Sequence, residues 1–226
     1  MKPLIVALDL ETDKEALQMT QHLASLVDVF KVGPVLFLKY GAPFIKELRA
    51  LGANVFLDMK FHDIPSVVQK AIERAGEMGV YSATVHTSGG LEMMKQSANL
   101  KKRPKLWGVT VLTSLDQADL QRLGVSRSVE DQVTHLAKQA AEAGLDGIVA
   151  SVREAALVRK VCGPRFDIVT PGIRMEASKD DQKRAQTPLE AIQQGSTFFV
   201  VGRPITEAKD PVKAVKAIYD SIEVKR

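Results

Sequence analysis

The chain has 226 residues, of which 45% are hydrophobic and 26% are charged, and its formal net charge is +4. This composition predicts a globular protein with a sizeable core, and the length suits one large domain or two small ones. The basic excess is mild and scattered, which argues against a nucleic-acid partner. We interpret the densest basic stretch, Lys101-Lys102-Arg103, as a solvated turn.

The cysteine content and the hydropathy of the sequence indicate the cellular compartment of the protein. Cys162 is the single cysteine, so no disulfide can form within the chain, and a metal bound there would need other ligands. The first apolar run begins at once, without a signal peptide, and no apolar run approaches the length of a membrane span. We therefore expect a cytoplasmic protein with no membrane partner.

Eight short apolar runs alternate with amphipathic helical stretches along the chain. Strands are expected at Leu4–Asp9, Asp28–Val32, Asn54–Lys60, Ser82–His86, Leu106–Leu112, Gly147–Ala150, Asp167–Thr170 and Thr197–Val201. Helices are expected among others at Lys14–Leu26, Ser66–Met78, Val129–Ala143 and Val152–Val161, and several end at glycines, namely Gly52, Gly79, Gly144 and Gly195. Apolar strands separated by helices predict a parallel sheet covered by helices.

This order of elements predicts an α/β protein, and no linker or low-complexity segment divides it, so we expect one domain over residues 1–226. Eight strand–helix repeats favour a closed (β/α)8 TIM barrel. An open doubly wound sheet is the weaker alternative. The first turn after a strand, Asp9–Thr12, lacks the glycines of a dinucleotide-binding fingerprint.

The third strand ends in a cluster of charges. Asp58 and Lys60 are two residues apart, so on a regular strand they project from the same face. Asp63 follows, just before Pro65, which suits the first turn of a helix. Opposite charges at the end of an apolar strand are costly to desolvate unless they are paired. The spacing alone fits a structural ion pair and a helix-start carboxylate as well as it fits a catalytic group.

Polar residues recur where the other strands end. In a barrel the active site lies at the carboxyl ends of the strands. Each of these residues alone could have a purely structural role, as a helix cap, a solvated side chain or a hydrogen-bonded core residue. Their shared location at the strand ends nevertheless predicts an active site. The residues are Asp9, Lys31, Asp58, Lys60, His86, Thr113, Arg174, Gly202 and Arg203.

The last two strand ends have the character of a phosphate site. Thr170–Arg174 and Val200–Pro204 each combine a glycine, which permits close backbone approach, with an arginine. Barrels commonly bind phosphate in the loops after strands seven and eight. The polar stretch Met175–Thr187 between them is too hydrophilic for a core and could close over a bound phosphate.

Together these motifs resemble the orotidine 5′-monophosphate decarboxylase family nearly from end to end. The eight-residue match Asp58–Pro65 is the most specific of them. The matching segments are Ala7–Asp9, Phe30–Gly33, Asp58–Pro65, Val111–Ser114, Thr170–Arg174 and Val201–Arg203.

The resemblance implies a TIM-barrel homodimer with active sites at the subunit interface, which converts orotidine 5′-monophosphate to UMP in de novo pyrimidine biosynthesis without a metal or an organic cofactor. Lys60 would donate the proton to pyrimidine C6, and Asp58 would lie beside the substrate carboxylate. Asp63 would enter from the other subunit with Ile64. It would complete an alternating array with Lys31, Asp58 and Lys60.

The resemblance also implies the contacts to the rest of the nucleotide. The ribose hydroxyls would contact Asp9 and Lys31, and the pyrimidine would contact Thr113. The phosphate would contact Gln182, Gly202 and Arg203.

Three alternatives remain open. A metal-dependent phosphosugar decarboxylase or aldolase of the same superfamily shares the Asp-x-Lys-x-x-Asp pattern, although the cation Lys31 opposes a metal at the second strand. A Schiff-base aldolase would need Lys60 as a neutral amine, whereas two acidic neighbours favour its ammonium form. A non-catalytic phosphate-binding barrel would have no need for the charge array.

Overall fold

The computed structural model describes residues 1–174 and 186–223. Within them, parallel strands close into a barrel in the order in which they occur in the chain, and the last strand pairs with the first. The strands are β1 (Leu4–Ala7), β2 (Val29–Val32), β3 (Asn54–Phe61), β4 (Ser82–His86), β5 (Lys105–Val109), β6 (Gly147–Val149), β7 (Asp167–Thr170) and β8 (Phe198–Val201). The (β/α)8 TIM barrel predicted from the sequence is therefore confirmed.

Helices follow every strand and surround the barrel. In the described part of the chain they are α1 (Asp13–Leu23), α2 (Pro34–Ala50), α3 (Pro65–Glu77), α4 (Leu91–Ala98), α5 (Gln117–Arg122), α6 (Val129–Glu142), α7 (Val152–Cys162), α8 (Pro188–Gln193), α9 (Arg203–Thr206) and α10 (Pro211–Glu223), with a short 3₁₀ turn at Thr87–Gly89. The four helices named from the sequence are present within three residues of their expected ends. A kink divides α2 at Gly41, where φ is +63°.

Helix ends follow the local sequence. Thr12 begins α1 with a capping box, in which its hydroxyl accepts from the amide of Glu15 and the Glu15 carboxylate accepts from the Thr12 amide. The glycines expected after helices adopt positive φ, for example +69° at Gly79 and +84° at Gly144. This conformation ends a helix at little cost for glycine and turns the chain into the next strand.

The core has two layers, which the alternation of the strands defines. Residues of one face point inside the barrel, where Trp107 packs against Phe56 at 4.7 Å and against Phe198 at 5.6 Å between ring centroids. Residues of the other face pack against the helices, as Leu4 and Val6 of β1 do. Since both faces are buried, most strand residues are apolar, and this made the strands recognisable in the sequence.

The amino ends of the strands carry ion pairs that the sequence did not predict. The carboxylate of Asp167, at the start of β7, accepts from Lys105 Nζ at 2.8 Å and from Trp107 Nε1 at 3.2 Å. Arg103 donates to the carbonyl of Ala98 and to the carboxylate of Asp146. The interpretation of the basic stretch as a solvated turn is therefore wrong for Arg103, whose planar guanidinium fastens the loop before β5.

Candidate active site

Two adjoining cavities open at the carboxyl ends of the strands, where the sequence predicted the site. The first has a volume of about 220 Å³ and the second about 290 Å³. Lys31, Asp58 and Lys60 line both cavities, so these three charged side chains form a wall that the cavities share. Thr113 lines the first cavity and Asp9 the second.

An alternation of charges forms the shared wall. Lys31 Nζ lies 2.9 Å from Asp9 Oδ1 and 3.9 Å from Asp58 Oδ2. On its other side, Asp58 Oδ2 accepts a hydrogen bond from Lys60 Nζ at 2.8 Å. The side chains of Lys31 and Asp58 are each 13% exposed, so water screens this part of the wall poorly. The structure thus brings together four of the predicted site residues in the order Asp9, Lys31, Asp58 and Lys60.

Lys60 does not continue a regular strand. Its φ of +50° is the only positive value for a non-glycine residue within residues 1–174 and 186–223. The pairing of β3 with β4 also shifts between Leu57 and Phe61, so the backbone bulges there. The two side chains meet, as their spacing indicated, but across a bulge and not along a regular strand.

Thr84 on β4 supports this bulge, and the sequence analysis missed it. Its hydroxyl accepts from the Lys60 amide at 2.9 Å and donates to Asp58 Oδ1 at 2.9 Å. The residue is fully buried. One signal in the sequence could have identified it. Thr84 lies two residues before His86, so the two side chains project from the same face of β4.

His86 ends β4, as predicted, and faces a second histidine. The ring centroids of His62 and His86 are 5.3 Å apart. Burial lowers the pKa of His86 below its ordinary value, and the neighbouring His62 and Lys60 lower it further, while Asp58 opposes them. His86 therefore stays neutral beside the ammonium group and adds no positive charge to the wall.

Apolar side chains form the rest of the first cavity, and the sequence analysis did not predict them. The valines at the tips of β5, β6, β7 and β8 point inward between the charged wall and the barrel core. Its described lining includes Phe56, Val109, Val149, Val169, Pro171 and Val200. A flat, uncharged ring would be well accommodated between these side chains.

The predicted phosphate residues lie at neighbouring strand ends. Arg174 follows β7 and Arg203 follows β8; both are exposed, and neither guanidinium bonds to another residue of the described chain. A Cβ on Gly202 would lie 3.5 Å from Ala7 Cβ and 3.9 Å from Asp9 Oδ2, so this glycine borders the first strand. The predicted Gln182 lies outside the described residues, as does most of the stretch Met175–Thr187.

Asp63 does not join the charged wall of its own chain. Its Oδ1 accepts from the amide of Ile64 at 2.6 Å, and it has no ion pair with any residue in the described ranges. Ile64 is 64% exposed. Both residues lie on the loop between β3 and α3, and Pro65 occupies the first turn of α3 as predicted.

Comparison with protein families identifies the family of the chain. Residues 2–218 match the model of the orotidine 5′-phosphate decarboxylase / HUMPS family. The chain belongs to this family. The match covers every strand of the barrel and all the predicted site residues.

The chain is similar over nearly its whole length to individual proteins named orotidine 5′-phosphate decarboxylase. The orotidine 5′-phosphate decarboxylase of Dichelobacter nodosus is 48% identical over 225 residues, which cover 97% of this chain and 98% of that protein. The decarboxylase of Pseudoalteromonas translucida is 46% identical over 228 residues, covering 98% of this chain and 97% of its own length. The crystal structure of the decarboxylase from Lactobacillus acidophilus superposes with a TM-score of 0.84 at 36% identity, covering 99% of this chain and all of that one.

Proposed function

We propose that this family member decarboxylates orotidine 5′-monophosphate to UMP in de novo pyrimidine biosynthesis, without a metal or an organic cofactor. The observation that carries the proposal is the alternation of Lys31, Asp58 and Lys60 along a mostly apolar cavity at the strand ends. The names of relatives 46% to 48% identical over nearly the whole chain support the same substrate.

Lys60 has the chemistry that this reaction needs. Loss of CO₂ breaks the bond between C6 and the carboxyl carbon and leaves the electron pair on C6, in the ring plane, where the π system cannot delocalise it. A fixed ammonium group stabilises this localised charge electrostatically and then donates its proton to C6. The Lys60 amine recovers a proton from solvent after the product leaves.

Asp58 holds the ammonium in place and adds a second effect. Its Oδ2 accepts a hydrogen bond from Lys60 Nζ at 2.8 Å, which fixes the position of the ammonium group. We place the substrate carboxylate beside Asp58, where repulsion between the two carboxylates raises the energy of the bound substrate. Departure of CO₂ relieves that repulsion.

The remaining residues bind the nucleotide at a distance from the bond that breaks. Thr113 and the apolar lining of the first cavity contact the pyrimidine, and the paired Asp9 and Lys31 contact the ribose hydroxyls. The phosphate is bound by Arg174, Gly202, Arg203 and Gln182. The two guanidinium groups, which have no partner among the described residues, supply forked donors. Phosphate binding energy then contributes to excluding water from the reacting atoms.

We also propose a homodimer in which Asp63 and Ile64 complete the partner's site. Support comes from exposed apolar residues at the starts of α2 and α3: Val35 is 74%, Leu38 80%, Ile64 64% and Val67 46% exposed. Since β2 and β3 are neighbours, both helix starts lie at the same end of the barrel. Val35 also lines the second cavity, beside Lys31 and Lys60. An incoming carboxylate there would be held by two ammonium groups.

Subunit complementation tests the shared site. Inactive Asp63→Ala and Lys60→Ala chains, mixed and refolded together, should form hybrid dimers in which one of the two sites has both residues intact. Purified hybrids should therefore recover about half of the wild-type rate per dimer. Proven heterodimers without activity would refute the contribution of Asp63 across the interface.

The metal-dependent alternative is the main competitor, because it shares the Asp-x-Lys-x-x-Asp pattern of Asp58, Lys60 and Asp63. In residues 1–174 and 186–223 no group of three or more His, Cys, Asp or Glu residues could hold a metal ion. The oxygens of Asp9 and Asp58 that face the cavities are already paired with lysines, whose charges oppose a divalent cation. We therefore favour the decarboxylase without a metal.

We further propose one domain over residues 1–226, because the barrel closes only when β8 pairs with β1. A cytoplasmic location is supported by the single free Cys162. No helix in the described part is long and apolar enough to cross a membrane.

An absorbance assay with orotidine 5′-monophosphate tests the proposed reaction directly. Purified protein without added metal should convert the substrate to UMP and CO₂. A protein that turns over this substrate only when a divalent metal is added would refute the proposal in favour of the metal-dependent alternative. Absence of any turnover, while UMP binds, would favour the non-catalytic barrel.

A further inference from the structure

We infer that Thr84 is a positioning residue for the proposed decarboxylation: its hydroxyl fixes both the Asp58 carboxylate and the backbone from which the Lys60 ammonium projects. The inference rests on the proposed function for its effect on rate. The hydrogen bonds that carry it are a property of the folded chain alone.

The register between β3 and β4 places Thr84 opposite the bulge in β3. Leu57 of β3 pairs with Ala83 of β4, and Phe61 pairs with Val85. Between these pairs β3 contains three residues, from Asp58 to Lys60, whereas β4 contains only Thr84. The bulge therefore leaves backbone groups of β3 without regular ladder partners, and the side chain of Thr84 is the group opposite them.

The hydrogen bonds at Thr84 have only one consistent arrangement. The Lys60 amide can only donate, so the hydroxyl oxygen accepts from it at 2.9 Å. An ionised Asp58 can only accept, so the single hydroxyl proton goes to Oδ1 at 2.9 Å. The other oxygen of Asp58, Oδ2, accepts from Lys60 Nζ at 2.8 Å. Thr84, Asp58 and Lys60 thus form a closed ring of hydrogen bonds that links the backbone and the side-chain amine of one lysine.

This ring stabilises a backbone conformation that lysine otherwise disfavours. With φ at +50°, Lys60 lies in the left-handed region, which persists only where surrounding contacts enforce it. Thr84 is fully buried and is not among the described residues that line either cavity. It therefore acts through Asp58 and Lys60 and does not contact the substrate.

Two substitutions separate the hydroxyl from the volume of the side chain. Thr84→Val keeps the shape and removes both hydrogen bonds, whereas Thr84→Ser keeps the hydroxyl. Loss of a hydrogen bond to a charged group corresponds to about a 10- to 100-fold fall in rate when it acts in the transition state. We expect kcat of Thr84→Val to fall by about this factor while KM changes by less than about threefold, and Thr84→Ser to recover most of the loss.

Thr20→Val is the matched control. Thr20 is also fully buried, and its hydroxyl donates to the Ala16 carbonyl within α1, remote from the site. This variant should keep the wild-type kcat at comparable loss of stability. A Thr84→Val enzyme with wild-type kcat would overturn the inference. So would equal impairment of the Val and Ser variants, because packing rather than the hydroxyl would then be responsible.

Hydrogen exchange gives a readout that does not depend on turnover. In the wild-type protein the Lys60 amide should be protected, since it donates to a buried hydroxyl, and Thr84→Val should lose that protection. A Lys60 amide that exchanges in the wild type as fast as exposed loop amides would overturn the inference. If orotidine 5′-monophosphate is not turned over while this amide is protected, the proposed function fails and the hydrogen-bond ring stands.

Discussion

Removal of the Lys60 ammonium is the most direct perturbation of the proposed chemistry. In Lys60→Ala, Asp58 keeps Lys31 at 3.9 Å and the Thr84 hydroxyl at 2.9 Å, so its carboxylate still has partners and the fold should survive. The cavity walls are otherwise unchanged. We therefore expect a folded protein that binds UMP and fails in the chemical step.

The expected loss can be estimated from charge and proton transfer. A unit charge forming about 4 Å from an ammonium group is stabilised by about 4 kcal/mol at an effective dielectric constant of about 20. At about 1.4 kcal/mol for each factor of ten, this is roughly a thousandfold in rate. Loss of a positioned proton donor adds about 10²- to 10⁴-fold. Together the terms predict that kcat of Lys60→Ala falls by about five orders of magnitude or more.

The measurement is the loss of orotidine 5′-monophosphate absorbance at saturating substrate, with UMP binding measured separately by calorimetry. Lys70→Ala is the matched control, because Lys70 is an exposed lysine on α3, ten positions along the chain. It should keep the wild-type rate. A folded Lys60→Ala protein with kcat within about tenfold of wild type would remove Lys60 from the reaction.

Three other perturbations have defined outcomes. Excess EDTA should leave the rate unchanged, and inhibition reversed by magnesium would contradict a reaction without a metal. The free energy of unfolding, measured with urea, should be about 1 kcal/mol higher for Lys60→Gly than for Lys60→Ala, because only alanine is strained at φ +50°. Equal free energies of unfolding would mean that the backbone relaxes. The pKa of His86 is lowered in the fold, mainly by burial, so the unfolded chain binds its proton first and stability should decline as pH falls below about 6.5. His86→Asn should flatten this decline in denaturant titrations between about pH 7.5 and pH 5, and an unchanged slope would assign it to other groups.

The barrel could be predicted from the sequence because its strands are buried on both faces. Leu4 and Val6 pack toward the helices, while Ile5 and Ala7 pack inside the barrel, so β1 contains no polar residue to obscure the apolar run. The strand tips are different, because their polar groups face the cavities. β5 ends at Val109, three residues before the predicted end, since apolar residues after the strand line a cavity.

The charge array was predictable only in its composition. The spacing of Asp58 and Lys60 indicated a pair, but strand alternation assumes a regular backbone, and the pair in fact forms across a bulge. Thr84 is separated from Asp58 by 26 positions, and no local pattern relates the two. A contact of this kind depends on strand register, which is a property of the whole barrel. Arg103 was misjudged for the same reason, since its partner Asp146 lies 43 positions away.

Strain at Lys60 has a geometric reason within this array. On a regular strand, alternate residues lie about 6.6 Å apart and their side chains run parallel, so a long lysine beside a short aspartate would extend past it. The left-handed turn at Lys60 changes the direction of its side chain, so that Nζ reaches Asp58 Oδ2 at 2.8 Å while the side chain remains 37% exposed toward the cavity. A relaxed backbone would separate the amine from its carboxylate. The strain, which costs about 1–2 kcal/mol, is therefore a consequence of holding an ammonium group at one fixed point facing the substrate.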